Sequence, residues 1–190
     1  NPLDLFVLVA FSFNHQIRFN NSHEFNNPFG RERSSFNDTM RTNLIQFVRK
    51  IQVANTQFTC FDFEKFNFSG LTENDFVYCD PPYLISLGTY NDGKRGFTGW
   101  NETQEHKLLR TLENLHKQNI RFALSNVLEH KGKENDILQN WLNKNNYLKV
   151  NYLQSDYSNS NYQTMVREKN ASVEVLITNY EVEKPKTLFD

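Results

Sequence analysis

A short apolar segment that stops at a carboxylate and two prolines constrains this chain most. Residues 76–79 are aromatic and β-branched (Phe-Val-Tyr-Cys), which is typical of a strand. Asp80, Pro81 and Pro82 follow at once, and proline continues neither a helix nor a central strand. The sequence therefore predicts that Asp80 lies at the carboxyl end of a strand, where open α/β sheets bind their ligands.

Helix and strand patterns alternate after this motif. The predicted strands are residues 58–61, 76–79, 121–125, 147–153 and 173–178, and the predicted helices are residues 103–118 and one centred on Trp141. This alternation predicts an α/β fold with a mostly parallel sheet, in which the last two strands form an antiparallel edge.

Two helices are predicted in the first part of the chain. The apolar residues 3–13 follow no basic leader and are too short to cross a membrane, so they predict a buried helix and no membrane partner. Apolar residues at helical spacing predict an amphipathic helix over residues 34–53, with Ser34, Ser35 and Asn37 as candidate caps.

The net charge and the cysteine content limit the kinds of binding site that this chain can contain. The net charge is -1, so a nucleic-acid surface requires a local concentration of basic residues. Cys60 and Cys79 lie far apart, and neither they nor the five histidines show metal-ligand spacing. We therefore expect no metal and no disulfide framework, in a reducing cytoplasmic setting.

The motif at residues 80–83 suits chemistry on an amine attached to an aromatic base. Such an amine is a poor nucleophile because its lone pair is delocalised into the ring. The Asp80 carboxylate and the Pro81 carbonyl can each accept one N–H, and Tyr83 offers a face on which an extruded base stacks. The alternative is that Asp-Pro-Pro only ends a strand and turns the chain.

Basic residues are concentrated between residues 15 and 50. Six of them stand against three acidic residues: Arg18, Arg31, Arg33, Arg41, Arg49 and Lys50 against Glu24, Glu32 and Asp38. Interleaved aromatic residues favour contact with phosphates and base edges, and the alternative is an ordinary solvated helical face. Arg167 and Lys169 are further candidate phosphate contacts, for which a solvated loop tip is the alternative.

Several short motifs also occur in a fixed order along nearly the whole chain. They are Ser12-Phe13-Asn14, Arg18-Phe19-Asn20, Asn27-Pro28-Phe29-Gly30, residues 76–83, Ala123-Leu124-Ser125-Asn126 and residues 174–180. In this order they resemble the Dam-type adenine-specific DNA methyltransferases with the alpha-group arrangement. The resemblance implies a Rossmann-like, S-adenosylmethionine-dependent methyltransferase sheet, N-terminally incomplete, with a small helical target-recognition subdomain.

The resemblance also implies a division of labour. Residues 1–55 would recognise DNA, and residues 56–190 would form the catalytic α/β domain. The implied reaction transfers a methyl group from S-adenosylmethionine to the N6 amine of adenine in double-stranded DNA, with base flipping and GATC as the suggested site. A bacterial or phage origin and a cognate restriction endonuclease are implied as well.

Roles of single residues follow from matching positions. The implied catalytic residues are Asp80, Pro81, Pro82 and Tyr83; the cofactor-binding residues are Asp80, Phe61, Asp62 and Phe63; the DNA-binding residues are Arg18, Asn20, Asn27, Pro28, Phe29, Gly30, Arg31, Arg33, Arg167 and Lys169.

One family feature is missing from the sequence. Dam-type enzymes carry a Phe-x-Gly-x-Gly cofactor loop, and none of the seven glycines here forms Gly-x-Gly. We therefore expect that a segment carrying this loop has been lost before Asn1. This leaves open a catalytically inactive DNA-binding remnant. A third alternative, methylation of RNA or of a protein glutamine amide, is disfavoured by an aspartate at position 80.

Overall fold

The computed structural model describes residues 1–20, 22, 24–31, 34–85, 100–153 and 172–182. The described residues form two compact units, which divide between Phe63 and Glu64. Arg33, Arg167 and Lys169, three of the predicted DNA contacts, lie outside the described residues.

The first unit contains two helices, α1 (Pro2–Phe11) and α2 (Asp38–Val53), with a short 3₁₀ helix at Phe13–His15. Helix α1 begins after Asn1, whose side chain accepts the Leu3 N–H. Helix α2 begins after Asn37, whose side chain accepts the Met40 N–H at 2.9 Å. Asn37 is therefore the cap among the three candidates, and α2 starts four residues later than predicted because Asn37 supplies the missing acceptor.

Helix α1 was predicted to be buried, and this prediction is wrong. Ala10 is its only buried residue, and Leu3 is 65% exposed. The helix is apolar on all sides, whereas the described part of the first unit packs against one side only. An apolar cleft of about 310 Å³ separates that side from α2, with Phe6 and Val9 facing Leu44 and Phe47.

The chain between α1 and α2 is held by backbone pairing. Phe19 bridges Phe25 in antiparallel fashion, and Ser12 bridges Phe29 in the same way. The Gly30 N–H donates to the Phe11 carbonyl at 3.0 Å. These bonds form a turn-rich hairpin, a structure in which asparagine and glycine are common.

The second unit contains the sheet. Its strands are β1 (Phe76–Cys79), β2 (Arg121–His130), β3 (Lys133–Glu134), β4 (Lys149–Tyr152) and β5 (Ser172–Thr178); its helices are α3 (Glu102–Lys117) and α4 (Asp136–Lys144), and short 3₁₀ helices lie at Phe63–Lys65 and Phe68–Gly70. The strand order is β1-β2-β5-β4, and β3 pairs with β2. The protein is therefore a mixed α/β protein with a mixed sheet.

The prediction of a mostly parallel sheet is wrong at the level of strand pairing. Strand β1 pairs with β2 in parallel, but β5 runs antiparallel to both β2 and β4. Strands β1, β2 and β4 thus share one direction, and β5 is inserted among them in reverse. The β4–β5 pair is antiparallel, as predicted. The outermost strand is β4, whereas β5 lies between β2 and β4. Helix and strand alternation carries no information about this insertion.

The strand predicted at residues 58–61 is absent. This segment has no strand pairing in the described structure, and Phe58 is 76% exposed. Aromatic residues favour strands, but a strand also needs a neighbour that accepts its backbone hydrogen bonds. Strand β2, in contrast, is twice as long as predicted because β5 pairs with it as far as His130.

The core lies between α3 and the sheet. Four leucines of α3 are buried, as are all β2 residues from Phe122 to Val127. Helix α4 adds Leu138 and Trp141. The helices α3 and α4 thus lie where they were predicted, and both pack against β2 of the sheet. None of the described helices is both long and apolar enough to cross a membrane.

Candidate active site

Asp80 lies directly after the last residue of β1, as predicted. In the parallel pair β1–β2, Cys79 is opposite Leu124, so Asp80 comes at the level of Ser125. Asp80 is exposed, and the Tyr83 hydroxyl donates to its Oδ1 at 3.2 Å. The motif therefore presents a carboxylate held by its own tyrosine at the carboxyl edge of the sheet.

A side-chain bond joins the two strands just before this edge. The Tyr78 and Ser125 hydroxyl oxygens lie 2.7 Å apart, although Tyr78 is 58% exposed. Because side chains alternate along a strand, Tyr78 and Cys79 point to opposite sides of the sheet. The contact between Tyr78 and Ser125 therefore joins β1 to β2 on one face of the sheet, directly before Asp80.

Cys79, next to Asp80, is predicted to resist alkylation at neutral pH. Burial raises the pKa of its thiol to about 11, so at pH 8 only about 0.1% of Cys79 is thiolate, the reactive form. Iodoacetamide labelling followed by peptide mass mapping should modify the exposed Cys60 first. Equal labelling rates for the two cysteines at pH 8 would contradict the burial of Cys79.

A buried carboxylate organises the structure behind the edge. Glu105, in the first turn of α3, has no exposed surface. Its Oε2 accepts the Trp100 indole N–H at 2.6 Å, and its Oε1 accepts from the Asn126 amide at 2.9 Å and the Asn135 amide at 3.5 Å. One carboxylate thus connects the entry to α3, the middle of β2 and the cap of α4.

Ser125 and Asn126, the polar residues of the Ala123-Leu124-Ser125-Asn126 motif, have different surroundings. Ser125 does contact β1, but Asn126 is 1% exposed and turns toward Glu105. The sequence contains a signal for Glu105, since it precedes Leu108 and Leu109 by three and four residues, the spacing of one helix face. A carboxylate on an otherwise apolar face indicates a buried polar partner.

The predicted DNA-binding residues of the first unit fall into two groups. Arg18, Pro28, Phe29 and Arg31 are exposed, and the Phe29 ring stacks on Phe11 with 6.3 Å between centroids. These four side chains are accessible to a ligand.

The second group, Asn20, Asn27 and Gly30, holds the hairpin together. The Asn20 Oδ1 accepts the Ser22 and Glu24 N–H groups, both at 2.9 Å. The Asn27 amide donates to the carbonyls of Phe13 and Gln16, and Gly30 is buried. Asn20 and Asn27 use their side chains to shape the hairpin that carries the exposed group.

Replacing Gly30 by alanine should destabilise the first unit. An added Cβ would lie 2.7 Å from the Ser34 Cβ and 3.1 Å from the Phe13 Cα. Overpacking of this kind costs about 1–3 kcal/mol. Gly70→Ala is the matched control, because a Cβ there meets nothing within 4 Å. In thermal unfolding, a Gly30→Ala transition no lower than that of Gly70→Ala would show that Ser34 yields without cost.

Phe61, Asp62 and Phe63 lie at the end of the first unit. Phe61 and Asp62 are exposed, and Phe63 is half-buried. Asp80, the fourth predicted cofactor-binding residue, belongs to the second unit. In the described residues no group of three or more histidine, cysteine, aspartate or glutamate side chains has the arrangement of a metal site.

Comparison of the sequence with known protein families shows the family of this chain. Residues 2–156 match the family of D12 class N6 adenine-specific DNA methyltransferases. The chain belongs to this family. The resemblance to adenine-specific DNA methyltransferases inferred from the motifs is therefore confirmed.

Individual relatives of this D12 class chain point the same way. It is 57% identical to modification methylase StsI of Streptococcus sanguinis over 181 residues, which are 95% of this chain and 27% of that protein. It is 54% identical to the type II methyltransferase M.FokI of Planomicrobium okeanokoites over 94% of this chain and 27% of that protein. A DNA adenine methylase of Haemophilus influenzae is 39% identical over 40% of this chain and 25% of that protein. The chain thus spans about a quarter of the length of these relatives.

Proposed function

We propose that this chain carries the catalytic and recognition residues of an enzyme that methylates the N6 amine of adenine in double-stranded DNA. The observation that supports this most is the exposed Asp80 carboxylate at the end of β1, oriented by Tyr83, in a chain of the D12 class family. The names of the relatives add a restriction–modification setting, with a cognate endonuclease as a candidate partner. GATC stays the candidate site that the resemblance to Dam-type enzymes suggests.

Asp80 would act on the amine by accepting one of its N–H bonds. The Tyr83 hydroxyl occupies Oδ1, and no other donor in the described part of the chain contacts the carboxylate, so Oδ2 is available. The Pro81 carbonyl would accept the second N–H, because proline fixes the backbone here. With both N–H bonds held, the nitrogen lone pair points away from them, toward the methyl donor.

Tyr83 would contribute its ring as well as its hydroxyl. A base inside a duplex cannot present its amine to a side chain, so the target adenine has to be extruded. The bond between Tyr83 and Asp80 fixes the ring next to the carboxylate, which lets one residue stack on the base while the other binds its amine. Pro82 would keep the short link between them rigid.

The residues present fit S-adenosylmethionine as the methyl donor. It supplies a methyl group on a positively charged sulfur, which an exposed carboxylate such as Asp80 attracts. The exposed Phe61 ring and the adjacent Asp62 carboxylate suit the aromatic and hydroxyl groups of its adenosine part, with Phe63 as support. As the new N–C bond forms and the S–C bond breaks, the nitrogen gives up a proton, which Asp80 can accept or pass to water.

The first unit would then supply DNA recognition, within a Rossmann-like catalytic arrangement. Arg18 and Arg31 are exposed at the two ends of the hairpin, where their guanidinium groups suit phosphates or guanine edges. Pro28 and Phe29 present an apolar surface between them. Arg33, Arg167 and Lys169 remain predicted contacts outside the described residues.

Transfer of a labelled methyl group tests the proposal. The substrates are two duplexes that differ only in having adenine or hypoxanthine, which lacks the amine, at the same positions. We expect label in the adenine duplex alone. DNA binding without transfer would favour the inactive DNA-binding remnant, and label in both duplexes would exclude the adenine amine as the acceptor.

A further inference from the structure

Strand β2 continues well beyond the catalytic edge. Asp80 lies at the level of Ser125, whereas β2 runs on to His130, five residues further. At the rise of a strand this places His130 roughly 17 Å past the edge. β5 pairs with β2 as far as Ser172, and the His130 Nδ1 lies 2.6 Å from the Ser172 hydroxyl, so the extension is held firmly.

The extension ends in a tight turn that carries two lysines. His130 pairs with Lys133, and Lys131 and Gly132 form the turn between them with φ of 50° and 76°. Two-residue hairpin turns of this kind favour Asn-Gly or Gly-Gly, because the first position also needs positive φ. Lysine at such a position costs on the order of 1 kcal/mol.

Lys131 stands apart from the other residues in this conformation. Among the described non-glycine residues with positive φ, the remaining four are three asparagines and a histidine, types that tolerate it: Asn14, His15, Asn55 and Asn119. A strained residue of an unfavoured type points to a use for its side chain. For lysine that use is its charge.

The charges of this turn are available to a ligand. Lys131 and Lys133 are exposed, and neither makes an ion pair with the residues that the structure describes. Glu129 and Glu134 lie opposite each other in the register of β2 and β3, one residue pair back from the turn. The pKa of His130 is lowered, first by burial and then by the two neighbouring lysine charges, against an opposing effect of Glu174.

We propose that the turn Lys131-Gly132-Lys133, here termed the lysine turn, contacts the phosphate backbone of duplex DNA bound at the Asp80 edge. This inference rests on the proposed function. A base flipped onto Asp80 brings the flanking duplex over the same edge, in the direction in which β2 extends. An ammonium group binds phosphate as a point charge and lacks the planar fork that reads base edges, so the contact positions the DNA without reading its sequence.

The test compares two double variants of the full chain. Lys131→Asn with Lys133→Gln removes both charges of the lysine turn and places asparagine at the positive-φ position. Lys117→Gln with Lys144→Gln removes two exposed lysines from the last turns of α3 and α4, at the opposite edge of the sheet. Fluorescence anisotropy of a labelled duplex at several salt concentrations gives Kd and its salt dependence.

We expect the lysine-turn variant to bind duplex about tenfold more weakly, with the slope of log K against log salt reduced by up to about 1.8, roughly 0.9 for each phosphate contact. Its melting temperature should equal or exceed that of the unmodified chain, because asparagine relieves the strain at position 131. Equal losses in both double variants, or none in either, would overturn the proposal while leaving the function intact. Absence of DNA binding by the unmodified chain would overturn both.

Discussion

Replacing Asp80 by alanine is expected to lower the rate of methyl transfer by roughly 10³-fold, the usual scale for a positioned acceptor of a proton or N–H bond. The carboxylate is exposed at the end of β1 and contributes to no described core, so the fold should survive the change. Tyr83 loses one hydrogen-bond partner in this variant. Single-turnover transfer of labelled methyl groups measures the effect.

Two further variants show whether the carboxylate itself is responsible. Asp80→Asn keeps an oxygen that accepts an N–H but loses the charge, so its loss should be smaller, about 10- to 100-fold. Asp75→Asn is the matched control, since Asp75 lies just before the same strand and binds the Thr72 backbone and hydroxyl. Its rate should change by about twofold at most. An Asp80→Ala rate equal to that of Asp75→Asn would remove Asp80 from the chemistry.

Replacing Glu105 by alanine is expected to cause the largest loss of stability. The change would leave three buried or half-buried N–H groups without their acceptor, those of Trp100, Asn126 and Asn135, and each unpaired donor costs about 1–3 kcal/mol. A total of about 3 kcal/mol or more corresponds to a melting temperature lowered by roughly 10 °C. Thermal unfolding followed by circular dichroism measures it.

Glu113 provides the control on the same helix. It accepts a single bond, from the Trp141 indole at 2.9 Å, so Glu113→Ala should cost only about 1 kcal/mol. Glu105→Gln should fall between the two, because its amide oxygen still accepts while its NH₂ meets another donor. If the two variants Glu105→Ala and Glu113→Ala have the same melting temperature, the hydrogen bonds to Glu105 do not stabilise the sheet edge that carries Asp80.

The parts of the fold that periodicity encodes strongly were predictable. Helix α3 shows apolar residues on one face over 16 residues, and the structure places it within a residue of its predicted bounds. Asp80 was placed correctly because proline ends a strand for local reasons. Helix α1, in contrast, is apolar all round, and composition alone cannot tell which side of it finds a partner.

Non-local pairing accounts for the remaining differences. The reversed insertion of β5 and the length of β2 depend on which strands meet, and a local sequence window carries no such information. Residues 58–61 have strand propensity without a partner strand in the described structure. In the candidate site, the turn of Asn126 toward Glu105 and the place of Lys131 and Lys133 at a hairpin turn likewise depend on how β2 packs on α3 and pairs with β3 and β5.

Nucleoside mass spectrometry is the most direct test of the central claim that the Asp80 edge methylates adenine. Genomic DNA free of methylated adenine would be incubated with S-adenosylmethionine and either the unmodified chain or Asp80→Ala, then digested to nucleosides. We expect N6-methyladenine with the unmodified chain and almost none with Asp80→Ala. Methylation of another base, no methylated base with either protein, or equal N6-methyladenine from both would contradict it.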